Sequence, residues 1–516
     1  MFIKYLLNPT DRILNSITTY RFTLYYLIFL LLVAFVGTFL KFIPFGPLDF
    51  VLSTATIIFF SFISNYFFAK LSGLTTNFES VFITALILVF IISCNFATNA
   101  PFLIVAPVLA MASKYFLTIE KRHIFNPAAL GVAAVALLSP DHAAVWWVGT
   151  PFMAPFVLLG GLLLTRKLRK EAMVLSFITA YLFFIIPTTI LRTASLPTFF
   201  TSFQFIFLKS VTLFFAFVML VEPLTTPVTK KLQICYAIFV AFLYSNFHLS
   251  IFAVAVTPEQ AIIFGNILTY FINPNYRLLL TLKDKFKLSR NTYAFIFNFP
   301  KYFNFVSGQY MEWTLSHIST DSRGNRRYFS LASSPTEQNI MIAVKFYNTS
   351  SSYKKNFLKM KKGEKIFASQ LAGDFVLPKD ICLPLVFIAG GVGITPFRSM
   401  LKYIIDKQIT VNIVMIYINS TKSDILYDDI LSSSEKFGVR TIHVLTKDSR
   451  LTNGRNWMYG RLTADMVKSV VPDFVSRKFY ISGPQLMVQG IVKMLKETNV
   501  SGRMIVKDFF PGYTDE

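Results

Sequence analysis

From about residue 22 to residue 272 the chain passes from one apolar stretch directly into the next, nearly all long enough to be judged as a bilayer-spanning helix of about 20 residues and only the fifth short. Ten such stretches lie near 22–42, 50–69, 80–97, 101–118, 126–139, 144–165, 172–193, 204–222, 232–248 and 250–272. Beyond residue 280 the pattern changes to short alternating strands, Gly-rich turns and amphipathic helices. The 516 residues therefore predict a polytopic α-helical membrane domain of about ten spans (1–279), an antiparallel β-barrel (280–380) and an α/β parallel-sheet domain (381–516).

The net charge of +23 is shared by both halves, +9 before residue 280 and +14 after it. No cluster of bases interleaved with aromatics marks a nucleic-acid face, so anionic lipid and phosphate cofactors account for the excess. With ten spans, Arg12, Lys70, Arg122, Arg166, Lys167, Lys170 and Lys230 all fall to one side. The other side holds only Lys41 and Arg192, the asymmetry of the positive-inside rule. Both termini and the whole C-terminal half are expected in the cytosol, below a bacterial-type cell membrane. Cys94, Cys235 and Cys382 are too far apart in sequence for a CxxC pair or a zinc loop, so no metal is expected.

Two sequences in the apolar half read as helix starts. Asn126-Pro127 places a capping residue before a proline, and Thr257-Pro258-Glu259-Gln260 is a capping box. Glu259 and Lys209 are ionisable residues inside expected spans, a pattern associated with function. The segments NFESVFITALIL (77–88), KRHIFNPAALG (121–131) and VEPLTTPVTKK (221–231) resemble, in order and spacing, the membrane flavin subunits of the Rnf and Nqr redox-driven sodium pumps, their D and B subunits. In that family FMN is esterified to a threonine in a Ser-Gly-Ala-Thr-like segment. This chain has instead the shorter SPDHAAVWWVGTPFM (139–153), so the resemblance implies a noncovalent second flavin rather than an attached one.

Four motifs carry the chemistry of the C-terminal half. RRYFSLASSP (326–335) sets Arg327, Tyr328, Phe329 and Ser330 on an expected strand, where positions 327 and 329 share a face. Arg327 suits a pyrophosphate, Phe329 the face of a flavin ring, and Ser330 a hydrogen bond near its reactive nitrogen. SSYKK (351–355) puts Ser352 and Lys354 at a helix start, which suits phosphate. AGGVGITPF (389–397) follows a strand and opens a helix; Gly391 and Gly393 admit a close phosphate, with Thr395 and Pro396 setting the turn. ISGP (481–484) brings Ser482, Gly483 and Pro484 to the end of another strand at the same sheet edge.

In this order and spacing the motifs resemble the ferredoxin–NADP reductase superfamily over nearly all of 281–516. The resemblance implies an FR-type FAD domain, an NAD(P) domain and hydride transfer between them, with Ser330, Ser482 and Phe510 beside the reacting atoms. Phe510, in DFFPGY (508–513), matches the family's C-terminal aromatic, with Tyr513 as its rival. Phe329 stands where the family has tyrosine, and Ser482 where it has cysteine. The coenzyme is NADPH or NADH; Lys422, with no acid at the end of the second strand, favours the 2′-phosphate.

The expected function is a membrane-bound FAD-dependent NAD(P)H oxidoreductase that passes electrons to a membrane acceptor: a flavin, a quinone or another redox subunit. The alternative is a redox-coupled sodium or proton transporter carrying a reductase domain. A transmembrane haem reductase would need paired histidines on two spans, and His123, His142 and His248 make no such pairs.

Overall fold

The computed structural model describes residues 14, 17–72, 78–119, 122–139, 144–192, 211–227, 229–246, 255–272, 277–300, 303–315, 317, 321, 324–347, 350–378, 380–381, 383–447 and 456–510. Lys209, Cys382, His142, His248 and Tyr513 lie outside them. The chain forms two compact units, Met1–Asn275 and Tyr276–Glu516.

The first unit is helical. Its elements are α1 (Thr19–Phe39), α2 (Pro47–Leu71), α3 (Phe78–Ile91), α4 (Phe96–Phe116), α5 (Pro127–Leu138), α6 (Ala154–Leu168), α7 (Glu171–Arg192), α8 (Thr212–Phe214, running on as a π-helix over Phe215–Met219), α9 (Lys230–Tyr244) and α10 (Pro258–Ile272). A two-residue ladder, β1 (Thr118–Ile119) with β2 (Arg122–His123), precedes α5. Both helix starts expected from sequence form: the Asn126 side chain accepts from Ala129 N (3.0 Å), and Thr257 N donates to Gln260 Oε1 (3.0 Å).

Among the described residues α1, α2 and α4 are long and apolar enough to cross a bilayer, and α3, α5 and much of α7 are shorter apolar helices. The stretch expected as one span over 144–165 differs. Trp146 takes a left-handed backbone (φ 48°), Gly149-Thr150-Pro151 interrupts the run, and helix begins only at Ala154. The surface of this unit is inverted relative to a water-soluble protein. Phe39, Phe67 and Phe183 face outward, while Ser53, Ser61 and Asn65 are buried inside α2 contacts. Small residues permit close approach: a Cβ on Gly161 would stand 2.5 Å from Phe217.

The second unit opens with a six-stranded antiparallel sheet in the order β6-β5-β8-β3-β4-β7, made of β3 (Arg277–Ser289), β4 (Thr292–Asn298), β5 (Tyr310–Thr314), β6 (Arg326–Ser330), β7 (Asn339–Lys345) and β8 (Lys365–Ala372). Helix α11 (Ser352–Lys359) packs Tyr353 and Phe357 into its core beside Phe295, Phe297 and Trp313. A parallel sheet follows in the order β12-β11-β10-β9-β13-β14. Its strands are β9 (Leu385–Gly390), β10 (Ile413–Asn419), β11 (Val439–Leu445), β12 (Trp457–Tyr459), β13 (Lys478–Pro484) and β14 (Ile505–Phe510). Helices α12 (Thr395–Asp406), α13 (Asp428–Ser434), α14 (Ala464–Val470) and α15 (Gln485–Glu497) complete it. Every residue of β9 is buried, as its unbroken apolar run requires of a central parallel strand. Chain order reverses between β9 and β13, and in open α/β sheets that switch point is the ligand crevice.

Candidate active site

Strand β6 pairs antiparallel with β5, placing Arg327 opposite Trp313 and Phe329 opposite Met311. Arg327 and Phe329 share the face turned toward α11, as the strand period demands. The Arg327 guanidinium lies 5.0 Å from the Tyr353 ring centroid, and Phe329 stacks on Phe357 at 5.9 Å. Tyr328 points the other way and donates its hydroxyl to Glu312 Oε2 (2.9 Å). Ser330 is buried, and its hydroxyl has no hydrogen-bond partner among the described residues.

The phosphate end is built around one carboxylate. Asp321 accepts from Ser352 N at the start of α11 (2.7 Å) and lies 3.8 Å from Arg327 Nη2. A single anion thus touches both groups that the sequence assigns to a pyrophosphate, the helix start and the guanidinium. The position accommodates an anion, and the residues present fit an FAD pyrophosphate. Ser352 Oγ accepts from Asp321 N (3.0 Å) and lies 3.1 Å from His317 Nε2. Lys354 contributes its amide, which Ser351 Oγ accepts (3.4 Å), while its ammonium turns to Lys345 O (2.8 Å). Burial pushes the Tyr353 phenol up and the Arg327 charge only partly opposes this, so the phenol keeps its proton. That hydroxyl is buried without a partner among the described residues, beside Arg327.

The coenzyme end lies at the switch point. Residues Gly391–Ile394 form one 3₁₀ turn between β9 and α12, with Pro396 in the first helical turn and Thr395 Oγ1 donating to Val392 O (3.0 Å). Gly391 adopts φ +51°, and a Cβ there would meet open space. Gly393 is the opposite case: a Cβ would stand 2.5 Å from Ser482 O and 2.7 Å from Gly483 Cα. The two phosphate-edge turns are therefore in backbone contact. Tyr417 fixes the first by donating to Gly391 O (3.2 Å). Ser482 is fully buried and its hydroxyl has no partner among the described residues. Pro484 caps α15, and the backbone of Phe510 pairs with Pro484 at the same edge. These features fit a dinucleotide lying across the β9 and β13 ends.

Sequence reasoning overlooked Asp321, Tyr353, His317, Tyr417 and a second group, Glu337 with Arg398. Only Tyr353 carried a local signal, as the aromatic within the SSYKK helix start; the others are brought in by tertiary folding.

Residues 387–493 match the family model described as the oxidoreductase NAD-binding domain. The flavohemoprotein of Bacillus cereus is 28% identical over 216 residues, 40% of this chain and 53% of that one. Flavohemoprotein A of Dictyostelium discoideum is 26% identical (41% and 54% covered), and the glycine betaine monooxygenase reductase subunit of Pseudomonas aeruginosa 24% (40% and 56%). The chain spans about half the length of these curated relatives. Among solved structures, an Amycolatopsis cytochrome P450 reductase is similar at TM-score 0.41 and 22% identity, covering 46% of this chain and 70% of that one. The FAD/NAD-binding domain of a Vibrio cholerae nitric oxide dioxygenase is similar at TM-score 0.38 and 18% identity, with 45% and 98% covered.

The C-terminal half contains an oxidoreductase module, similar to reductases that use NAD(P)H. Its coenzyme-binding part is the oxidoreductase NAD-binding domain, matched over residues 387–493.

Proposed function

We propose that the whole chain is a membrane-bound NAD(P)H oxidoreductase that delivers electrons through FAD to an acceptor in the bilayer. FAD, when bound, takes hydride from a nicotinamide and gives up electrons one at a time. This chain's residues supply the holding and the exclusion of water. Arg327 and the start of α11 bind the pyrophosphate in place of Asp321, and Phe329 with Tyr353 and Phe357 gives an apolar bed beside it. Ser330 and Ser482 offer buried hydroxyls toward the reacting edge, and the Gly391–Gly393 turn carries the coenzyme phosphates. The observation that carries this reading is the close backbone approach of Gly393 to Ser482 and Gly483, which brings the two Gly-containing strand ends together at the switch point. The side chain of Phe510, expected from the sequence to cover the flavin, lies outside the described part of the structure. Lys422, whose ammonium lies 5.4 Å from the Trp457 ring centroid, favours NADPH over NADH.

The unit Tyr276–Glu516 expressed alone is expected to bind FAD and to reduce an artificial dye with NADPH or NADH. A folded fragment that stays colourless and inactive would overturn the reading.

For the helical unit we infer a multi-pass, ten-span membrane domain of the Rnf D and Nqr B kind that takes the electrons. The inverted surface of α1, α2 and α7 supports it. Its motif segments converge: Asn266 accepts from Asn126 N (2.8 Å) and donates to Thr225 O (3.3 Å), joining the 121–131 and 221–231 segments. Buried Lys170 donates to Val221 O (3.0 Å) and to Thr226 Oγ1. The α5 start is more occupied than the sequence suggested, because Asn126 itself takes the Ala129 amide. A noncovalent second flavin or a quinone beside these segments would therefore lean on Lys170, Thr225 and Thr226 rather than on free amides. Extraction of the purified full-length protein should release a cofactor that the Tyr276–Glu516 fragment lacks, or the intact protein should oxidise NAD(P)H with added quinone. FAD alone in both, with no quinone activity, would remove this path. The half-buried Glu222, 3.9 Å from His123 Nε2 and accepting from Thr225 Oγ1 (3.3 Å), keeps coupled sodium or proton movement as the second reading.

A further inference from the structure

We propose that Arg398 is a positioning residue that locks the flavin strand to the coenzyme helix and so sets the distance across which hydride passes. The inference rests on the reductase reading above and concerns residues that no motif of that reading includes. Arg398 lies one turn into α12, the helix opened by Gly391–Thr395. It reaches back to the loop that leaves β6 immediately after Ser330. Its Nη1 donates to Ala332 O (3.0 Å) and its Nη2 to Glu337 Oε1 (2.9 Å), and Nη1 also pairs with Glu337 Oε2.

Neighbouring contacts run between the same two elements. Ser399 Oγ donates to Ser333 O (2.6 Å), and Thr336 Oγ1 donates to Asp406 Oδ2 (2.5 Å). Glu337 is itself held, accepting from Ser334 N (2.6 Å). Arg398 is 8% exposed and Ser399 fully buried, so the bonds to Ala332 O and Ser333 O are desolvated, the Glu337 pair is partly buried, and the Thr336–Asp406 bond lies at the surface. A planar guanidinium gripping a carboxylate with two nitrogens fixes direction as well as distance, which an ammonium does not.

The clamp is attached two residues beyond Ser330 on one side and three residues beyond Thr395 on the other. Loosening it moves the two ends of the reaction relative to each other and leaves each binding site intact. A misplacement of about 1 Å in a reacting pair costs about a hundredfold in rate.

The test uses the full-length protein. In Arg398→Ala, reduction of bound FAD by saturating NADPH should slow by about a hundredfold. FAD content and the coenzyme concentration at half-saturation should stay at wild-type values. Arg398→Lys should recover part of the rate, and Glu337→Arg with Arg398→Glu should recover more than either exchange alone. Glu337→Gln serves if Arg398→Ala fails to fold: it keeps the side chain's shape, and the same slowing at unchanged FAD content is expected. Wild-type reduction rates in folded variants, or a loss of FAD that matches the loss of rate, would overturn the clamp. If wild-type protein itself is not reduced by NADPH or NADH, the reductase reading fails, and the clamp falls with it.

Discussion

Gly393→Ala should remove coenzyme-driven reduction of the flavin while leaving FAD in place. The added methyl group would meet Ser482 O at 2.5 Å and Gly483 Cα at 2.7 Å. Both are backbone atoms of a buried strand end, so neither can step aside by a rotamer change. The Gly-rich turn and the β13 end must separate, and the crevice between them changes shape. Overpacking of this kind costs about 1–3 kcal/mol of stability. Displacing one phosphate-binding turn by about 1 Å costs about a hundredfold in the reaction it positions. Arg327, Phe329 and the α11 start belong to the preceding sheet, so FAD content should be unchanged. Gly490→Ala is the control within the same domain. It sits inside α15 with no atom within 4 Å of the new Cβ, and alanine there should stabilise by about 1 kcal/mol. Rapid-mixing reduction rates, FAD content and melting temperature read all three effects. Wild-type reduction by Gly393→Ala would dissociate the two turns from coenzyme binding.

How much of this was legible depends on the range of each signal. The two strand–turn–helix units of the parallel sheet were readable because their parts are local: an unbroken apolar run, a Gly-rich turn and an amphipathic helix over 384–405, repeated over 478–497. The helix starts at Asn126 and Thr257 were readable for the same reason, since cap and capped residue lie three positions apart. Where sequence reasoning misplaced an element, apolar composition hid the backbone. The tract 144–153 is apolar enough for a span, yet Trp146 in a left-handed conformation and Gly149-Thr150-Pro151 delay the helix to Ala154. The expected domain boundary at 279 falls inside a strand: Arg277–Leu280 pairs with Ile366–Ser369 as the first part of β3.

The groups no local pattern could supply are those joined across the fold. Arg398 and Glu337 are 61 positions apart, and Ser352 meets Asp321 from 31 positions away. Their geometry is a property of packing: Arg398, Glu337 and Asp321 look in the sequence like ordinary surface charges, and the helix start at Ser352 gave no sign of its carboxylate partner. Lys354 shows the converse. Its place beside two serines suggested a phosphate ligand, but its ammonium is drawn to the carbonyl that ends β7, leaving its amide at the helix start.

Arg327→Ala should cost the protein its FAD. The guanidinium and the α11 start converge on one anionic position, which the Asp321 carboxylate marks at 3.8 Å from Arg327 Nη2 and 2.7 Å from Ser352 N. A charge-assisted hydrogen bond contributes about 1.5–3 kcal/mol, so its loss lowers FAD affinity by roughly tenfold to 150-fold. The competing carboxylate gives a second, opposite arm. Asp321→Asn removes the internal anion but keeps an acceptor for Ser352 N, so FAD should bind more tightly and associate faster. Arg327 is mostly buried against Tyr353, and its removal also strips a cation from that ring, which only adds to the loss. Titration of FAD into apo protein, followed by flavin fluorescence, reads both variants. Equal affinities in wild type and Arg327→Ala would show that the pyrophosphate lies elsewhere. Weaker binding in Asp321→Asn would make that carboxylate a support of the site rather than the occupant FAD displaces.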